Sequence, residues 1–126
     1  MIIKLTALLL CAAIAWAENP VGTWRGESIC QVKPSGCNDE HALYRVTAIG
    51  QSKDRVNLSG GKIVDGREVN MGSSECSYDD KTRALDCPLP NGSTIRLVVN
   101  GTTMEGRMTM RDGTFWRKIS LHKDGE

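Results

Sequence analysis

Few side chains in this chain could carry out chemistry, and they are scattered. The two histidines are His41, at the start of a segment of alternating polarity, and His122, near the C-terminus. No serine or cysteine occupies a G-x-S-x-G turn or another context that would activate a nucleophile. The acidic clusters at residues 38–40 and 78–80 lie in turn-like sequence, where Asn and Asp side chains bond to the local backbone. We therefore expect no catalytic residues, no cofactor and a protein that is not an enzyme.

Four of the five cysteines form an even-numbered set: Cys30, Cys37, Cys76 and Cys87. None of them belongs to a C-x-x-C pair, so the spacing does not favour zinc and no metal is expected. The first two flank the Pro/Gly-rich loop QVKPSG, and a turn within residues 77–86 would place the other two on neighbouring strands. Although four cysteines allow three pairings, this arrangement predicts one disulfide across the loop and one between the strands.

The N-terminal segment MIIKLTALLLCAAIAWAENP has the features of an export signal. It contains one lysine, an apolar run and an A-x-A cleavage site that ends at Ala17. We predict a signal peptide at residues 1–17 and a single domain at residues 18–126, in the periplasm or secreted. Cys11 raises the alternative of a lipid anchor, and only in that case would the protein be attached to a membrane.

The charge balance argues against a polyanionic partner. The chain has 16 basic and 15 acidic residues, and removal of the predicted signal takes away Lys4 and no acidic residue. A neutral domain has no electrostatic reason to bind nucleic acid, so no nucleic-acid partner is expected. The remaining chain of about 110 residues is the size of one small domain, which disulfides help to stabilise.

Turn dipeptides divide the chain into short strands. DG or NG pairs, the strongest local signal for a hairpin, stand at Asp65-Gly66, Asn91-Gly92, Asn100-Gly101 and Asp112-Gly113. Strands are predicted at residues 22–32, 41–49, 54–64, 67–78, 83–88, 93–99, 102–111 and 114–122. Eight short antiparallel strands must close or leave exposed edges, and closure is the usual solution. The predicted fold is an all-β, eight-stranded antiparallel up-and-down barrel with two disulfides.

Pairing about these turns predicts which residues face the interior. Leu97 would lie opposite Met104, Met108 opposite Arg117, and Met110 opposite Phe115. The paired glycines Gly60-Gly61 predict a bulge. Methionine is adaptable, so these residues could form a ligand pocket or fill a narrow core. The candidate pocket residues are Met71, Leu97, Met104, Met108, Met110 and Phe115. Trp116 is predicted on the outer face, either as an anchor for a partner or packed against the neighbouring strand.

One motif resembles a known family. VGTWRGES resembles the G-x-W motif that opens the first strand of the calycins, the lipocalin and avidin group of barrels, with Gly22 and Trp24 as the matching residues. Arg117 in TFWRKIS is similar in position to the basic residue of the calycin last strand. This resemblance implies a calycin-like barrel in which Trp24 closes one end and Arg117 packs across the indole as a cation–π contact. The whole-chain pattern is similar to small exported bacterial barrels.

Two functions remain open at this stage. The first is a lipocalin-like binding protein that takes a small apolar ligand in or at the end of the barrel, for which an interior cavity near Met108 would be the signature. The second is an inhibitor or interaction module that binds an exported protein through rim loops. Inhibitors of lysozymes among the small barrels carry an S-G-x-x-Y loop motif. Here Ser59 and Gly60 match that motif, but Ile63 replaces the tyrosine.

Overall fold

The computed structural model describes residues 19–34 and 36–125, so the predicted signal peptide, with Cys11, lies outside the described residues. The described chain forms eight strands: β1 Gly22–Cys30, β2 Glu40–Ala48, β3 Arg55–Val64, β4 Arg67–Asp79, β5 Ala84–Pro88, β6 Thr94–Asn100, β7 Thr103–Thr109 and β8 Phe115–Lys123. Alternating apolar and polar residues produce them, because successive side chains of a strand point to opposite faces. No helix in this part of the chain is long and apolar enough to cross a membrane.

The strands close into a ring. Each strand pairs antiparallel with the next along the chain, and β8 returns to pair with β1. The closing ladder requires close backbone contact at Gly26, where a Cβ atom would collide with the carbonyl oxygen of Ser120. The predicted fold, an all-β, eight-stranded antiparallel up-and-down barrel, is confirmed.

Both predicted disulfides are confirmed. The Cys30–Cys37 bond clips the loop between β1 and β2, with a Cα–Cα distance of 5.6 Å. The Cys76–Cys87 bond joins β4 to β5, with a Cα–Cα distance of 4.3 Å. Two intramolecular disulfides are consistent with an oxidising, exported compartment.

The predicted irregularity at Gly60-Gly61 is confirmed, and its extra residue lies on the neighbouring strand. Gly60 pairs with Gly72 and Gly61 pairs with Asn70, so Met71 is the additional residue of β4. A bulge of this kind shifts the alternation of side chains between the two faces. The side chains of β4 before Met71 therefore alternate between the two faces in the opposite sense to those after it.

Two predicted cross-strand pairs are wrong. Leu97 lies opposite Gly106 and not opposite Met104, because Asn100 stays extended in β6 and the positive φ falls on Gly101, at 65°. This shift of two residues leaves each side chain on its predicted face.

The second wrong pair has a larger consequence. Phe115 pairs with Thr109 and not with Met110, since Trp116 is an extra residue in β8. A shift of one residue moves a side chain to the other face of the sheet, so Phe115 leaves the interior.

One continuous apolar core occupies the barrel interior. We call the end where β1 begins the Trp24 end, and the end that carries the loops after β1, β3, β5 and β7 the Arg117 end. The largest completely buried side chains are Trp24, Leu85, Leu97, Met104, Ile119, Val46 and Val99. They belong to one continuous cluster, against which the partly buried Leu89 and Met108 pack near the Arg117 end.

Candidate functional site

The interpretation of Arg117 as the cation over Trp24 is wrong. Lys123 lies opposite Trp24 across the closing ladder, with its Nζ 5.4 Å from the ring centre, and the indole N–H donates to the Pro20 carbonyl oxygen at 2.9 Å. Arg117 lies opposite Cys30, six residues earlier on β8. Six residues of strand span about 20 Å, so the two cations stand at opposite ends of the barrel.

Arg117 joins three parts of the chain at its own end. One guanidinium nitrogen donates to the Asn38 carbonyl oxygen at 2.9 Å and to the Ser28 carbonyl oxygen at 3.3 Å. The other donates to Glu40 Oε2 at 3.2 Å, and the Arg117 side chain is only 11% exposed. A guanidinium tolerates such burial when its donors are satisfied, and here they link β8 to β1, β2 and the disulfide loop.

A second cation shares the Glu40 carboxylate. Lys62 faces inward because its partner on β2 is the buried Ala42, and its Nζ lies 3.7 Å from Glu40 Oε2. Two cations and one carboxylate therefore meet inside the rim. Glu40 was not predicted as a site residue, because residues 38–40 have turn-like sequence. The same-face spacing of Glu40, Ala42 and Tyr44 was the signal that could have found it.

Tyr44 carries the phenol of this cluster. Burial raises its pKa from 10.0 to about 12, the Glu40 carboxylate adds to the rise, and the Arg117 guanidinium and the Ser28 hydroxyl partly oppose it. The hydroxyl therefore keeps its proton at neutral pH and can donate a hydrogen bond.

A cavity of about 480 Å³ opens beside this cluster. Its apolar and aromatic lining includes Tyr44, Leu58, Met71, Leu89, Ile95 and Met108. Glu40 and Arg117 supply its charged wall. Gly60 and Gly72, which pair with each other across β3 and β4, also line it and contribute no side chains. A mainly apolar cavity with a few converging polar groups is the usual form of a small-molecule site.

The structure divides the six predicted pocket residues among several places. Met71 and Met108 line the cavity. Leu97 and Met104 are completely buried in the packed core, and Met110 is half-buried at the turn between β7 and β8.

Phe115 is not in the pocket, because the Trp116 bulge places it on the outer face. There the guanidinium carbon of Arg107 lies 4.1 Å from the centre of its ring. Trp116 itself is half-buried and lies against the disulfide loop, where a Cβ atom on Gly36 would be 3.2 Å from the indole. Trp116 is therefore not the exposed anchor, and it packs on the disulfide loop.

A second cavity, of about 450 Å³, lies under the disulfide loop. It shares Glu40 and Arg117 with the first cavity, so this ion pair lies between the two. His41 lines it with an exposed side chain, and its Nδ1 is 3.1 Å from Glu27 Oε2. Among the described residues, no group of three or more His, Cys, Asp or Glu side chains could hold a metal ion.

The fold and the site define the class of this protein. It is a closed eight-stranded antiparallel barrel, compatible with a calycin-like fold, and its Arg117 end carries a mainly apolar cavity beside an ion pair. Comparison with models of known protein families and with characterised proteins finds no match.

Proposed function

We propose that this chain is a small exported, calycin-like binding protein without enzymatic activity, which takes a small and mainly apolar ligand at the Arg117 end. The cavity of about 480 Å³ beside Met108 carries this proposal, because its volume lies within the range of ligand pockets. The two disulfides support an exported location.

The lining indicates the chemistry of the ligand. Its apolar part would contact Leu58, Ile95 and Met108, and the flexible thioether of methionine suits irregular apolar shapes. Its polar part would meet the Tyr44 hydroxyl and the ion pair of Glu40 with Arg117. These groups offer both hydrogen-bond donors and an acceptor, which fix the orientation of a ligand more than its affinity.

Native mass spectrometry of the mature protein, purified gently from its own host, tests this proposal. We expect a small-molecule adduct on the wild-type protein, and its mass identifies the ligand. Met108→Trp should abolish the adduct by filling the cavity. The matched control is Val98→Trp, which introduces the same side chain at an exposed position of β6, and it should retain the adduct.

Two results would overturn the proposal. One is a wild-type protein that carries no adduct and also gains none when incubated with a mixed lipid extract of its host. The other is an adduct that survives Met108→Trp in a folded variant, since the ligand would then lie elsewhere.

A specific observation favours one alternative, an inhibitor or interaction module that acts through rim loops. The disulfide loop is held in place before any partner binds, because Lys33 Nζ lies 2.8 Å from Asp39 Oδ2 and Arg117 holds the Asn38 carbonyl oxygen. Preorganised loops lose less entropy on binding. Pull-down of exported host proteins by the wild type, compared with a Lys33→Ala/Pro34→Ala variant, tests this alternative. A protein captured by the wild type and not by the variant would favour the interaction module.

A further inference from the structure

The two neighbours of β4 cover this strand unequally. β3 pairs with β4 from Arg67 to Ser77, whereas β5 pairs with it only from Ser77 to Asp79. Within the described part of the chain, no strand lies beside residues 67–74 on the side of β5. An unpaired strand edge presents a row of backbone N–H and C=O groups that another chain can bond.

The chemistry of β5 explains why it stops early. Pro88 and Pro90 have no N–H to donate to a ladder, and the Leu89 N–H donates at 2.9 Å to the Ser93 carbonyl oxygen, which turns the chain into β6. On the side of the Cys76–Cys87 disulfide that faces the Arg117 end, the Ser74 hydroxyl donates to the Pro88 carbonyl oxygen at 2.5 Å. Between this link and the Arg117 end, a gap separates β4 from the turn at residues 89–93. We call this gap the notch.

The bonding pattern shows which groups of β4 face the notch. The Tyr78 N–H donates to the Asp54 carbonyl oxygen at 2.9 Å, so even-numbered residues in this part of β4 direct their backbone groups toward β3. Ser73 therefore directs its N–H and C=O toward the notch. Before the bulge at Met71 the alternation is reversed, so there Glu68 and Asn70 direct their backbone N–H and C=O toward the notch.

The notch is flanked by two apolar side chains, those of Met71 and Leu89, and by polar ones that include Ser73 and Asn91. Met71 is 49% exposed, and Leu89 lies on the opposite wall of the cavity that opens here. Residues 67–73, the seven residues before the Ser74 link, span about 23 Å, which accommodates a strand of five or six residues. A row of alternating donors and acceptors is matched by an extended polypeptide backbone and not by a small molecule.

We propose that the notch binds an extended segment of another exported polypeptide, which adds to β4 as an antiparallel or parallel strand with apolar side chains at alternate positions. The occupant is a single segment and not a second barrel, because the turn at residues 89–93 bounds the notch on its far side. An edge strand of a folded sheet would bring its own neighbours against that turn. This inference goes beyond the small-ligand function and does not require it.

Amide hydrogen exchange of the mature, ¹⁵N-labelled protein tests the proposal. The probe is a capped six-residue peptide of alternating threonine and valine. At saturating peptide, we expect exchange at Asn70 and Ser73 to slow by about tenfold, since free edge amides become bonded. The Tyr78 amide, which is already bonded to Asp54, should not change. The control peptide has the same sequence with N-methylated backbone amides, so it keeps the side chains but cannot pair fully.

Each other outcome overturns the proposal. Equal effects of the two peptides would mean that side chains alone bind, and no slowing with either would mean that the edge does not accept a strand. Slowing without peptide that grows with protein concentration would assign the edge to a second copy of the chain. The proposal can fail independently of the cavity proposal, because native mass spectrometry does not report on β4 amides and the peptide test uses ligand-free protein.

Discussion

The two ends of the barrel are finished in opposite ways. At the Trp24 end, one completely buried indole fills the interior, and Lys123 lies over it. At the Arg117 end, an ion pair with Glu40 takes the place of an apolar plug, and backbone carbonyl oxygens hold the guanidinium. An apolar side chain excludes water by its area. Charged groups need partners in fixed directions, and such a network leaves space beside it.

The cavity is present at the Arg117 end because two inward-facing positions there carry no side chain. A Cβ atom on Gly60 would lie 3.8 Å from Tyr44 Cε1, and one on Gly72 would have no neighbour within 4 Å. The difference between the ends teaches that a barrel this small need not be uniformly filled. The largest buried aromatic side chain lies at one end, and the cavity with the buried ion pair lies at the other.

The largest expected effect would break the packed end. Trp24→Ala should lower the free energy of unfolding by about 3–5 kcal/mol, because it removes a fully buried aromatic side chain and leaves a cavity. Met108→Ala, at the open end, should cost under about 2 kcal/mol, because that side chain already borders a cavity. Urea denaturation of both variants measures the difference. Equal costs would contradict the division between the ends.

The next effect concerns the ion pair of the open end. Arg117→Met should destabilise by about 2–3 kcal/mol, at or below the lower limit of the cost of breaking a buried pair, because Lys62 still neutralises Glu40. The double variant with Glu40→Gln should cost less than the sum of the two single variants. Strict additivity in this cycle would show that the two side chains do not interact.

Tyr44 should make the open end sensitive to alkaline pH. Its pKa in the folded protein is about 12, above the ordinary 10.0, so the folded state favours the neutral phenol. The resulting stability is present below pH 10 and is lost as the pH rises from 10 toward about 12. Tyr44→Phe should therefore lose less stability over this interval than the wild type. Unfolding free energies at pH about 9 and about 11 measure this, and equal losses would contradict the assignment.

The smallest expected effect sharpens the comparison through two glycines. Gly60→Ala should change stability by less than about 1 kcal/mol, because the added methyl group enters the cavity at ordinary contact distance. It should also weaken ligand binding. Gly26→Ala is the matched control and should prevent normal closure, since its methyl group would collide with the Ser120 carbonyl oxygen. Thermal unfolding compares them, and a strongly destabilised Gly60→Ala would contradict the presence of open space there.

Much of the fold could be predicted because its signals are local. Alternating polarity and the DG and NG turns predicted eight strands, and the positions of Cys76 and Cys87 relative to one turn predicted their disulfide. The candidate site was only partly predictable. Met71 and Met108 line the cavity, but Phe115 was assigned to the wrong face because nothing in the local pattern marks Trp116 as an extra residue.

The sequence by itself determined that this chain forms a closed antiparallel barrel with two disulfides, because strand period, turn type and cysteine position act over short distances. Only the tertiary structure decided which cation meets Trp24 and what surrounds Arg117. Those contacts depend on the closing register between β1 and β8, which are separated by most of the chain. A register is the outcome of all eight pairings and their bulges, so a shift of one residue anywhere in the ring changes what meets at its ends.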